Sequence, residues 1–224
     1  MHTLPRKHIL VIGLAALVFV LIGAIVGLLV VSSGSGGSSS ARNLTLQPND
    51  LPPEFVLVDE KLYSREELMA ELPAESQIAE AGVQEAAYVS YELQGDVPMV
   101  IDVFVYLYRD EDAAEAAHTY LRESEPDRLL RNHLVRRFNQ GEEPYRMTLS
   151  GGSVEGMGDD AFSMTGEMEP NAESSLPVHA YIIRSGAARA EVFVAGLSML
   201  IEDPQTVARN QYLRLERPEA VVAP

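Results

Sequence analysis

Hydrophobic and polar positions along this chain fall into three regimes. From Ile9 to Val31 the sequence reads ILVIGLAALVFVLIGAIVGLLVV, 23 residues without a charge or a strongly polar side chain. As a helix rising 1.5 Å per residue the run spans about 34 Å, enough for a hydrocarbon core of about 30 Å. It is longer than the apolar region of a cleaved signal peptide, and no A-x-A site follows it, so a retained transmembrane helix is predicted. Arg6 and Lys7 precede the run, and the far side carries no charge until Arg42. That asymmetry predicts a single-pass plasma-membrane protein with a cytoplasmic tail at 1–8 and everything after the helix extracytoplasmic. Gly23 and Gly27 give the G-x-x-x-G spacing at which two such helices pack closely as a homodimer.

The second regime is small and polar. Ser32–Ser40 reads SSGSGGSSS, a flexible coil with nothing to bury, and a linker is expected over 32–48.

In the third regime, 49–216, short apolar runs alternate with turn residues, and a tail follows at 217–224. Phe55–Val58 reads as an extended run. Ser64 with Glu67 three residues on forms a capping box for a short helix ended by Pro73. Ala86–Leu93 and Met99–Tyr108 are rich in β-branched and aromatic residues and flank the turn Gln94-Gly95-Asp96, which predicts a β-hairpin. Asp110 caps a helix from Glu111 to about Glu123, and Pro126 opens another to Asn139. The stretch from Gly151-Gly152 to Asp159-Asp160 is rich in turn residues, and Ala161–Thr165 is a short strand. Val178–Ser185 and Ala188–Ala195 form a second hairpin turning at Gly186, and Asp203-Pro204 opens a last helix to about Leu215. A hairpin-then-helix unit therefore occurs twice. Adjacent strand pairs favour an α+β fold, an antiparallel sheet with helices packed on one face.

The strand Met99–Tyr108 is the most informative segment. Met99, Ile101, Val103, Val105 and Leu107 share one face, which should lie under the helices. The other face carries Val100, Asp102, Phe104, Tyr106 and Tyr108. Either loops or the Pro-rich N-terminal segment cover that face, or Phe104, Tyr106 and Tyr108 line a groove for a ligand with Asp102 as its polar determinant. These four are the candidate ligand-binding residues.

Charge narrows the partners. After the apolar run the chain carries 15 Lys+Arg against 33 Asp+Glu, a net −18. A field of that sign repels nucleic acid and anionic lipid headgroups, so the expected partners are a protein or small ligand, with the membrane engaged through the N-terminal helix alone. The chain has no Cys, which removes disulfides, thiolate metal sites and thiol catalysis.

Reactive constellations are sparse. Gly151-Gly152-Ser153-Val154-Glu155 fails the G-x-S-x-G elbow because Glu155 stands where the second Gly is required. His118, His133 and His179 sit singly on different elements, and His2 and His8 flank the apolar run, so no metal site is expected. Asp159-Asp160 after Gly158 reads as a tight turn capped by a carboxylate rather than a calcium loop. Arg128, Arg131, Arg136 and Arg137 fit a solvated helix face with acids at its N-terminal end. No cofactor is implied.

The order Asp50-Leu51-Pro52-Pro53-Glu54-Phe55, Ala81-Gly82, Tyr108-Arg109-Asp110, Gly158-Asp159-Asp160-Ala161 and Arg184-Ser185-Gly186 resembles a group of bacterial secreted or membrane-anchored domains. In that group a DLPPGF segment opens the domain, and Glu54 departs from it. The resemblance implies a PsbP-like or extracellular-sensor-like sandwich and transfers no catalytic residue. The expected function is a non-enzymatic, membrane-tethered binding module, with an envelope hydrolase of dispersed site residues or a structural envelope subunit as alternatives.

Overall fold

The computed structural model describes residues 40–71, 82–93, 99–123, 146–171, 174–196 and 201–216. The apolar run 9–31 with Gly23 and Gly27, most of the linker, the 94–96 turn, Pro73, the helix expected over 126–139 and the tail from 217 lie outside them. Among the described residues no helix is long and apolar enough to cross a membrane.

Seven strands form one antiparallel sheet: β1 (Phe55–Ser64), β2 (Val83–Leu93), β3 (Met99–Tyr108), β4 (Arg146–Ser153), β5 (Asp160–Asn171), β6 (Ser174–Ser185) and β7 (Ala188–Ala195). Their order is β1-β2-β3-β7-β6-β5-β4. Two meanders thus meet where β3 pairs with β7, Val103 opposite Val192. Among the described residues three α-helices accompany them: α1 (Arg65–Glu71), α2 (Glu111–Glu123) and α3 (Gln205–Glu216). The capping box forms as its sequence predicts, Glu67 N–H donating to Ser64 Oγ and Ser64 N–H to Glu67 Oε2. Asp110 caps α2 by accepting from Ala113 N–H at 2.8 Å. Asp203 does the same for Gln205 N–H at the start of α3. Gly151-Gly152, read above as part of a turn, lies inside β4.

The helices occupy both faces of the sheet, not one. Met99, Ile101, Val103 and Val105 share a core with Val207, Ala208 and Leu215 of α3. Tyr106 and Tyr108, on the opposite face of β3, pack with Leu68 of α1 and with Ala114 and Ala117 of α2. Every residue of β7 is buried. A strand apolar at both parities must be covered twice, and one helical layer cannot do that.

The folded unit also begins before the expected boundary at 49. Residues 40–52 form a strap across the face that α3 covers, burying Ala41, Leu44, Leu46 and Leu51. Gln211 of α3, itself fully buried, accepts from Leu46 N–H at 2.9 Å and donates to Leu44 C=O at 2.6 Å. A side-chain amide here does what a neighbouring strand would, satisfying two buried backbone groups of the strap. Arg214 forks onto Asp50 at 2.7 and 2.9 Å, and the Tyr91 hydroxyl donates to Leu46 C=O. The segment expected to cover the aromatic face therefore covers the aliphatic one.

Candidate functional site

The four residues singled out from the sequence come together, but in the interior. Asp102, Tyr106 and Tyr108 are 1%, 6% and 4% exposed, and Phe104 is half-buried. Strand pairing explains the cluster: Tyr88 lies opposite Phe104 across β2/β3, and Arg189 and Glu191 lie opposite Tyr106 and Phe104 across β3/β7. The Tyr88 hydroxyl donates to Asp102 at 3.0 Å, and the Tyr88 and Phe104 rings sit 4.5 Å apart. The Arg189 guanidinium lies 4.5 Å from the Tyr106 ring centroid and 5.6 Å from that of Tyr108. It also bonds Glu191 at 2.8 Å. Stacking and pairing a fully buried arginine in this way offsets its desolvation. The arrangement fixes the sheet face chemically and leaves no open platform at Tyr106 and Tyr108.

His118, expected to stand alone, joins a second polar group on the same face. It is 1% exposed. Its ring meets Phe162 edge-on at 5.3 Å. Its Nε2 lies 3.5 Å from Asp160 Oδ2, and Arg122 pairs with the same carboxylate. Its Nδ1 has no hydrogen-bond partner among the described residues. Burial pushes the imidazole down to about 4, with the Asp160 charge pulling the other way. The Asp159-Asp160 pair divides its work: Asp159 accepts from Gly186 N–H at 2.7 Å and holds the β6/β7 turn, while Asp160 anchors α2. Gly158 before them has φ +68°, and a Cβ there would collide with the Arg184 carbonyl oxygen, so the turn requires glycine. Among the described residues no group of three metal-ligating side chains converges.

Open space of ligand size lies on the opposite face, between the strap and the entry to α3. A groove of about 430 Å³ is lined by Asp50, Leu51, Pro52, Ile201, Glu202, Asp203, Thr206, Val207 and Asn210. Leu51, Pro52, Ile201 and Val207 form its apolar part, Asn210 ties the Asp50 carbonyl to α3 at 2.8 Å, and Glu202 and Asp203 are exposed at its rim. The Asp203 charge reaches β6: the Tyr181 hydroxyl is pushed up to about 12, first by burial and then by Asp203. His179 is pushed down by burial, with Asp203 opposing. Asp203-Pro204 opens α3 as its sequence predicts, whereas Asp50-Leu51-Pro52 lies inside the strap and not at the start of the folded unit. The groove joins positions some 160 residues apart, and no local pattern signals that.

No protein-family model matches the chain, and a search of curated proteins finds no match. Among solved structures the fold is similar to the extracellular domain of PknH from Mycobacterium tuberculosis. The TM-score is 0.53 at 12% identity, over 82% of this chain and 100% of that one. The likeness is one of fold, an antiparallel α+β sheet domain.

Proposed function

We propose that the chain is a membrane-tethered extracytoplasmic ligand-binding module, held by a helix at 9–31 and a short Ser/Gly linker. The observation that carries the reading is the shared fold: the whole of the PknH extracellular domain aligns over 82% of this chain. The groove supports it, since its volume falls within the roughly 300–1,000 Å³ range of small-molecule sites. The basic flank before the apolar run and the −18 balance after it agree with a domain delivered outward and kept off anionic surfaces. The reading is non-enzymatic.

The test is a thermal-shift screen of the full chain in lipid nanodiscs against fractionated envelope and medium components. A ligand at one hundred times its Kd stabilises by about 2.7 kcal/mol, which raises the melting temperature of a domain this size by roughly 5–10 °C. No shift from any fraction, together with consumption of a component, would favour the hydrolase instead.

One observation favours the structural-subunit reading. Val56, Leu57, Val58 and Leu62 are all 38–47% exposed on β1, which is an edge strand. Exposed aliphatics beside an unpaired backbone edge suit strand addition by a partner. The bulge at Leu57/Asp59 and the run Asp59-Glu60-Lys61 interrupt that edge, which is why ligand binding is put first.

A further inference from the structure

We infer that the groove between the strap and α3 binds a small organic cation, an ammonium group on a compact apolar body. The inference rests on the binding-module reading and names its ligand class. The groove has two chemically distinct parts. Pro52 and Ile201, backed by the buried Leu51 and Val207, offer an apolar patch, which desolvates a hydrocarbon body and contributes affinity in proportion to the area covered. Glu202 and Asp203 stand at the rim.

Charge decides the sign of the ligand. Asp50 is neutralised within the fold, its carboxylate gripped by both nitrogens of the Arg214 fork. Asp203 spends one oxygen on the Gln205 N–H as the cap of α3. Glu202 enters no ion pair among the described residues, and no Lys, Arg or His stands among those lining the groove. The N-terminus of α3 offsets part of the Asp203 charge, and with Glu202 beside it the two carboxylates still leave a net negative potential at the opening. An anionic ligand is repelled there, and a neutral one leaves the carboxylates' attraction unused. The volume of about 430 Å³ fits a free small molecule, whereas a protein partner needs a broad face of about 800 Å² per side.

Arg214 also gives the groove its shape. By fixing Asp50 it holds Leu51 and Pro52 against α3, so the strap wall is preformed and little ordering is left for the ligand to drive.

The experiment is isothermal titration calorimetry on the full chain in nanodiscs, with benzylammonium as probe and benzyl alcohol and benzoate as its neutral and anionic counterparts. Asp203→Asn keeps a helix-capping side chain while removing the charge, and Glu202→Gln removes the other charge at an exposed position. Benzylammonium should bind, its counterparts should bind at least several-fold more weakly, and each variant should weaken benzylammonium by about twofold to fivefold, as partly exposed charge pairs do. Equal affinity for benzyl alcohol, or unchanged affinity in both variants, would overturn the assignment. Binding of a capped Gly-Lys-Gly peptide without binding of benzylammonium would overturn the small-molecule occupant in favour of a partner's lysine. A fraction that stabilises the chain in the thermal screen and is indifferent to both variants would refute the groove and leave the module reading standing. Silence in that screen would refute the module itself.

Discussion

Acid should unfold this domain partly through a single imidazole. His118 is 1% exposed, sits edge-on to Phe162 and has no hydrogen-bond partner at Nδ1 among the described residues. Protonating it in place puts a second positive charge beside Arg122 with one shared carboxylate, Asp160, to balance both. Burial accordingly lowers its pKa from 6.5 to about 4. Because the folded value lies below the unfolded one, the group leaves stability untouched above pH 6.5. As pH falls from 6.5 towards 4 the unfolded chain takes up the proton and the folded chain does not, so stability drains away across that window. The full gap is worth roughly 3 kcal/mol, an appreciable part of a typical domain's 5–15 kcal/mol. The assay is urea unfolding of a fragment spanning 40–224 at closely spaced pH values, beside His118→Leu. The variant removes the titrating group and the unpartnered Nδ1, whose burial costs about 1–3 kcal/mol. It should equal or exceed the parent at pH 7 and outlast it increasingly below pH 6. Any drop caused by His179 or by carboxylates remote from His118 is common to both and cancels in the difference. Parallel curves from pH 7 to 4 would refute the reasoning.

Tyr106→Ala and Tyr108→Ala should each cost roughly 3 kcal/mol or more in denaturant unfolding, because both rings are buried and stack on Arg189; losses below about 1 kcal/mol would mean the face is open. Gln211→Ala should strand the Leu46 N–H and Leu44 C=O and cost about 2–4 kcal/mol. Hydrogen exchange at the Leu46 amide should speed up, and an unchanged rate there would show that the strap is held by other means. A fragment starting at 49 should melt below one starting at 40, since it lacks the buried Ala41, Leu44 and Leu46; equal melting would return those residues to the linker.

Much of the fold is legible because its signals are local. The Ser64/Glu67 box and the Asp110 cap each depend on residues three positions apart, and both hairpins join strands adjacent in sequence. The placement of the helices depends on which faces need cover. The alternation in Met99–Tyr108 invited a division into a buried and an exposed face, yet Phe104, Tyr106 and Tyr108 are as large as anything opposite them. The strand ARAEVFVA of β7 is equally two-sided once Arg189 and Glu191 neutralise one another. Two-sided apolarity is the mark of a central strand, and it requires helices on both sides. The strap was hidden for a different reason: Ala41, Leu44 and Leu46 are too few for a periodic pattern, and their partner Gln211 lies at the other end of the chain. The groove inherits the same difficulty, since one wall comes from residues 50–52 and the other from 201–210.

The chain has no cysteine, so single introduced thiols report location without background. Thr3→Cys marks the N-terminal tail and Glu66→Cys the exposed side of α1. With a membrane-impermeant maleimide on intact cells, the account expects Glu66→Cys to be labelled at once and Thr3→Cys only after permeabilisation. Protection of Glu66→Cys until the membrane is breached, with Thr3→Cys labelled from outside, would place the domain in the cytoplasm and contradict the account.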